Sequence, residues 1–561
     1  MARQTAPVLD RPWRRPGALG YALTRLRGVA KPPVTVTDPP ADIVVDRDAA
    51  VRTRDGTILR VNVFRKADDI GRPVVLSIHP YGKDDLPARR GKRWTYSRQY
   101  HVLRQPDPVT FSALTGWEAP DPAWWVAQGF TVVNADLRGC GHSDGTGKLL
   151  SQQESEDTYD IVQWAADQPW SDGRVVMIGV SYLAMSQYGV AALQPPGLRA
   201  IVPWEGFTDA YRDLVFPGGI REKGFTRIWS LTLRRTTRLA SDLLEASDEH
   251  PLRDDFWRSL VPDLSSIRVP MLVCGSFSDN NLHSRGSIRA FTRSSSAHAR
   301  LYTHRAGKWA TFYSAPARAE QLTFIRAALD GAPGARSVRL EVREDRDTVT
   351  GVREETEWPL TRTRWRRLYL AGPGVLATEQ PPAPGSIAFK TLSRAAAFSW
   401  TVPGDIELSG PMAARLWLEL DGCDDVNLFV GVEKWRDGWF VPFEGSYGYG
   451  RDRVTTGWLR VSLRALDPEL SQPWEPVPAC IEPQPLRGGE VVAVDVALGP
   501  SATLFRAGER LRLLVAGRWL SPRNPLTGQF PAAYARSPRG RVTLHWGPRF
   551  DAHLLIPEIP R

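Results

Sequence analysis

Ser181, Asp279 and His304 are residue types that together can make a reactive alcohol. Ser181 sits in Gly179-Val180-Ser181-Tyr182, between a short apolar run and small, apolar residues suited to a helix. A serine hydroxyl is a weak nucleophile at neutral pH. It needs an adjacent base, usually a histidine, oriented in turn by a carboxylate. Where the nucleophile occupies a sharp strand-to-helix turn of a mostly parallel sheet, the chain order is serine, then acid, then histidine. Asp279 follows the apolar run "MLVCGSFS", and His304 closes "ARLYT", so both fall at later strand ends in that order.

Other histidines compete for the base. His283 is four residues past Asp279 and is expected to leave the same loop, unable to face Asp279 across the nucleophile. His298 precedes its strand, at the wrong end of a sheet, and His545 and His553 lie in a region of different character. His304 is therefore the expected base and His283 its rival. Structural roles compete too: Asp279 can cap a helix or turn, and His304 can be a buried imidazole bonded to backbone. Acyl transfer also needs donors for an oxyanion. The Tyr182 backbone N–H is one candidate, and Tyr81, in the loop "HPYGK" after an earlier strand, is the second.

These residues require a scaffold. "RPVVLSIH", "GFTVVNAD", "GRVVMIGV", "LRAIVPW", "VPMLVCG" and "ARLYTH" read as short buried strands. "SEDTYDIVQWAADQPW" reads as a helix with Ile161, Trp164 and Ala165 on one face. Strands alternating with helices predict a mostly parallel sheet covered on both faces, with its site in loops at the carboxyl ends of the strands. Asp55-Gly56 predicts a hairpin turn before it. Residues 207–264 interrupt the rhythm with amphipathic helical stretches and read as an inserted cap. From 337 to the end, "AARLWLEL", "VVAVDVAL" and "RLRLLVAG" alternate with period two and predict an all-β sandwich or jelly roll. Residues 1–40 form a basic arm, expected to be solvated and partly frayed.

Composition sets outer bounds. The 561 residues are 42% hydrophobic and 24% charged, enough for large cores, with a net charge of only +10 spread along the chain. The four cysteines are far apart and fit reduced thiols rather than a disulfide framework. No secretory leader or uninterrupted apolar span of about 18 residues is visible, so a cytoplasmic protein is expected, with no membrane or nucleic-acid partner.

Several stretches resemble the cocaine esterase, α-amino-acid ester hydrolase and X-Pro dipeptidyl-peptidase family of serine hydrolases. They include "HPYGK", "DPAWWVAQGFTVVNADLRGCGHSDG", "EDTYDIVQWAADQPWSDGRVVMIGVSYLAMSQY" and "SDNNLHSRGS"; in the β region "FRAGERLRLLVAG" and "HLLIPEIP" also fit. The resemblance covers nearly everything after about residue 40. It implies an α/β-hydrolase core, an inserted helical cap and a C-terminal jelly roll. It also implies Ser181, Asp279 and His304 as triad, Tyr81 and Tyr182 as oxyanion hole, and no metal or organic cofactor. The chain departs from the family pattern at two places. Ala184 stands where a second glycine is usual, and "LYTHRAGKW" replaces the Gly-Pro-Trp-x-His usual around the base. The expected activity is cleavage of a small-molecule ester or amide through an acyl-enzyme. The alternatives are X-Pro dipeptide release, with Glu205, Asp209 or Asp213 holding a substrate ammonium, and a non-catalytic binding protein on the same fold.

Overall fold

The computed structural model describes residues 8–103 and 107–560. The first part is a long twisted sheet. Strand β1 (Ile43–Arg52) pairs antiparallel with β2 (Ile58–Lys66) through a turn at Asp55-Gly56, where Gly56 takes φ +88°. Six parallel strands follow in space: β4 (Thr131–Asp136), β3 (Arg72–His79), β5 (Ser171–Val180), β6 (Leu198–Trp204), β7 (Met271–Cys274) and β8 (Ala299–Tyr302). β9 (Ser337–Arg343) extends the sheet beside β8 and touches the C-terminal strand Val492–Phe505. β4 and β7 are buried at every position and β3 from Val74 on, as parallel strands covered on both faces require.

Helices cover that sheet. α2 (Gln152–Ala166) starts at Ser151, whose hydroxyl accepts the Glu154 N–H, and buries Ile161 and Ala165 against the strands. α3 (Tyr182–Ala192) is apolar all round and buried almost throughout, as a helix under other layers must be. The segment between β6 and β7 carries the cap helices α4 (Phe225–Leu233) and α5 (Leu243–Glu249). The sequence "WSLTLRRTTRLASDLLEA" is two helices rather than one. Asp242 makes a reciprocal capping box with Glu245, which restarts the helix after Thr236 and Thr237 have bonded the Pro80 carbonyl.

The C-terminal part is built almost wholly of antiparallel strands around its own apolar core, a jelly-roll-like arrangement. Ile406–Asp421 shows why: from Ala414 to Leu420, buried and half-buried residues alternate along it.

From residue 8 on, the N-terminal arm is anchored at several points rather than frayed; residues 1–7 lie outside the described residues. Leu9–Asp10 pairs with Ala395 and Ala396. Arg15 reaches Glu433 at 2.7 Å, and the buried Arg25 of α1 (Ala18–Ala30) bonds the Gly448 and Pro525 carbonyls. The charges of Arg15 and Arg25 are engaged by these partners, which charge counting cannot foresee. Among the described residues the cysteines are free thiols, and no helix is long and apolar enough to cross a membrane.

Candidate active site

Ser181 ends β5 and precedes α3 with φ 60° and ψ −115°, a left-handed conformation costly for a residue with a side chain. Its surroundings impose it. The Ser181 N–H donates to the Trp204 carbonyl on β6, and the Val180 N–H to the Glu118 carbonyl. Gly179 must lack a side chain because a Cβ there would run into Leu183. The methyl of Ala184 is accommodated by a reciprocal vacancy. It faces Gly206, whose own Cβ would lie 2.8 Å from it, so a glycine just past β6 makes the room that a glycine on the helix would otherwise supply.

The imidazole beside Ser181 belongs to His283. Its Nε2 is 3.2 Å from Ser181 Oγ, and its Nδ1 is 2.6 Å from Asp279 Oδ2. Both partners of Ser181 in this relay come from the segment after β7. The N–H groups of Leu282, His283 and Ser284 all donate to the Asp279 carbonyl, which winds the chain into one turn ahead of α6 (Ser284–Arg293). Residues four apart on such a turn share a face. The acid therefore needs no place across the nucleophile; it needs only to meet the far nitrogen of the ring, and one turn accomplishes that. Phe207 stacks on the imidazole at 6.1 Å between centroids.

His304 is not brought to Ser181, which corrects its assignment as base. Its Nδ1 accepts the Ala306 N–H at 3.2 Å, so Nε2 carries the proton and donates to Glu205 Oε1 at 3.0 Å. Both ring nitrogens are spent inside the fold. Glu205 is completed by the Ser276 hydroxyl at 2.8 Å. The place past β8 where chain order seeks a histidine is held instead by Lys308. Its Nζ lies 2.7 Å from Asp279 Oδ2 and 2.9 Å from His283 Nδ1.

The electrostatics follow from burial and these contacts. Burial alone would raise the Asp279 carboxyl, but the Lys308 ammonium and His283 hold it far below the usual range. Burial, then Lys308, lowers His283 against the opposing pull of Asp279. Asp279, Glu205 and Glu118 raise Lys308 despite its burial. Burial also pushes Glu118 up to about 8; its Oε1 accepts the Trp309 indole N–H while Oε2 has no partner.

The oxyanion candidates come from two elements, the start of α3 and the loop after β3. Tyr182 N is the first N–H of α3 and has no intrahelical acceptor; its phenol turns away to Glu154 at 2.6 Å. Tyr81 OH accepts the Trp229 indole N–H from the cap at 3.3 Å, leaving its own proton to donate. Burial raises that phenol well above its ordinary value, so it stays a donor. Ser181, Tyr81, Asp279 and Lys308 line one cavity of about 1370 Å³, walled by the cap, the arm and the segment around Tyr447.

Asp209 and Asp213 are absent from that lining. Asp209 pairs with Arg212 and Arg253, and Asp213 with Arg289. Glu205 does line it but is engaged by His304. These contacts take all three from the ammonium-holding role considered above. Among the described residues, two groups have metal-ligand types within reach of one another. In Glu205, Cys274 and His304 the His304 Nε2–H already donates to Glu205, and burial followed by Glu205 keeps the thiol protonated. In Asp48, Asp84 and His142 the Lys83 ammonium, 2.6 and 2.5 Å from the two aspartates, already supplies the cation.

A CocE/NonD family hydrolase from Staphylococcus aureus is 33% identical to this chain, with a TM-score of 0.87 over 92% of this chain and 94% of that one. The chain belongs to the CocE/NonD family of hydrolases. Residues 55–309 match the X-Pro dipeptidyl-peptidase (S15 family) model, and residues 334–555 the X-Pro dipeptidyl-peptidase C-terminal non-catalytic domain. The cocaine esterase of Rhodococcus sp. (strain MB1 Bresler) is 23% identical over 92% of this chain and 99% of its own length. An α-amino acid ester hydrolase shares the fold, with a TM-score of 0.69 at 16% identity over 93% of this chain and 98% of that one. The architecture is accordingly an α/β-hydrolase core with a helical cap and a C-terminal all-β domain, and the protein is an enzyme of the serine-hydrolase class.

Proposed function

We propose that this hydrolase cleaves a small-molecule ester or amide through an acyl-enzyme formed on Ser181. The carrying observation is the continuous relay from Ser181 Oγ through the His283 ring to Asp279. Ser181 Oγ attacks the substrate carbonyl carbon as His283 Nε2 takes the hydroxyl proton. The Tyr182 N–H and the Tyr81 hydroxyl receive the oxyanion. Collapse expels the leaving group, which takes the proton back from His283. A water then repeats the sequence, releasing the acid and freeing Ser181. Asp279 accepts the Nδ1–H throughout, leaving Nε2 as the basic nitrogen.

An ester or simple amide is favoured over an X-Pro dipeptide. The acids considered for a substrate ammonium are consumed by Arg212, Arg253, Arg289 and His304. Ser181→Ala should abolish hydrolysis of p-nitrophenyl acetate and labelling by a fluorophosphonate probe. Labelling that survives in the variant removes Ser181 from the reaction. Gly-Pro-anilide turnover exceeding that of short acyl esters would return the assignment to dipeptide release.

A further inference from the structure

Lys308 has no part in the three-residue relay, yet it touches two of its members. Asp279 Oδ2, His283 Nδ1 and Lys308 Nζ form a triangle with sides of 2.6, 2.7 and 2.9 Å. Two donors and one acceptor can satisfy this triangle in only one productive way. If the ammonium gave a proton to Nδ1, the ring would carry its hydrogen on Nε2, pointing at Ser181, and could accept nothing from the serine. If the ammonium donates to Asp279 Oδ2 instead, Nδ1–H also donates there and Nε2 keeps its lone pair for Ser181 Oγ.

The position is built, not incidental. Lys308 opens α7 (Lys308–Phe312) directly after Gly307, with its ammonium among Asp279, Glu205 and Glu118. The charged groups facing the His283 ring are Asp279 from its own turn, Lys308 from the start of α7, and Glu205 from just past β6. Lys308 is the cation among them, and it stands on the side of the ring opposite the serine.

We propose that Lys308 is a positioning residue of the relay: its ammonium fixes Asp279 as the acceptor of the His283 Nδ1–H and opposes protonation of the resting imidazole. The proposal rests on the Ser181–His283–Asp279 reading. Its consequence is a catalyst that stays active in mildly acidic solution. The sign follows from charge: a cation beside the ring disfavours imidazolium, so the ring stays a competent base to lower pH. The same cation disfavours the imidazolium formed during attack, so the device widens the pH range at some expense in maximal rate.

The test is the pH profile of kcat/KM for a short acyl ester in the full chain. Lys308→Met should move the acid limb upward by roughly 1–3 pH units, whereas Lys308→Arg, which keeps the charge, should leave it near the parent's. Fluorophosphonate labelling of Ser181 at the plateau pH separates the two readings. If both variants label but the Lys308→Met limb overlays the parent's, the Lys308 proposal fails alone. If the parent itself does not label, the serine reading fails. Should Lys308→Met not fold, ¹⁵N-histidine spectra of the unaltered protein decide, with His283 assigned by its loss in His283→Gln. A neutral Nδ1–H ring is expected; an Nε2–H ring overturns the proposal.

Discussion

His304 and His283 make opposite demands on an experiment, and the contrast is large. His304 is buried, bonds Glu205 at 3.0 Å and accepts the Ala306 N–H. His304→Ala leaves the buried Glu205 with the Ser276 hydroxyl as its remaining side-chain partner. Leaving a buried acceptor without its donor costs about 1–3 kcal/mol, and more when the acceptor is charged, and the missing ring adds a cavity beside Trp204, which stacks on it at 6.3 Å. The variant should therefore unfold at markedly lower urea, while its folded fraction still takes up a fluorophosphonate. His283→Ala should do the reverse. Its unfolding curve should shift less, and labelling should fall on the order of 10⁴–10⁶-fold, because the base itself is gone. Urea unfolding followed by tryptophan fluorescence, together with labelling rates measured in the cold, reads both quantities. The reasoning is refuted if His304→Ala unfolds like the parent yet loses labelling, or if His283→Ala labels at the parental rate.

Two further outcomes follow from the geometry. Gly206→Ala should destabilise the core by about 1–3 kcal/mol, because its Cβ meets Ala184 Cβ at 2.8 Å and Met185 N at 3.1 Å. Ala184→Gly should restore part of that loss in a double variant, measured by urea midpoint. At the cavity mouth, Lys31, Arg90, Arg93, Arg98 and Arg235 converge from separate elements, and none has an ion pair among the described residues. Esters with an anionic leaving group should therefore show kcat/KM that falls as salt rises, while matched neutral esters should not; equal salt slopes would contradict it.

How much of this was readable from residue order depends on which rule applied. The parallel sheet, the cap and the all-β C-terminal part follow from apolar runs, helical spacing and strict alternation, all local signals. Ser181 and Asp279 reach one cavity because each ends a buried strand of the same sheet. His283 ranks behind His304 in the sequence because it leaves the same loop as Asp279, and the order rule places acid and base across the nucleophile. The rule does not weigh that a turn closed on the Asp279 carbonyl aligns residues four apart. His304 met the rule in position but not in surroundings: Glu205, 99 residues earlier in the chain, claims its ring. Lys308 carried no warning, since its meaning lies in three carboxyls supplied by distant loops. Ala184 departs from the family's glycine, and the matching hollow at Gly206 is a pairing visible only when helix and strand are in contact.

The docked arm bears on how the finished enzyme comes into being. Ala30, Lys31 and Val34–Val36 form part of the cavity wall, yet the arm is held by Ala395, Glu433, Gly448 and Pro525. On the ribosome those anchors emerge hundreds of residues after the segment they secure. A stretch made before the core is thus among the last to settle, and a nascent core with its nucleophile already in place still lacks one side of its binding chamber until the far strands arrive.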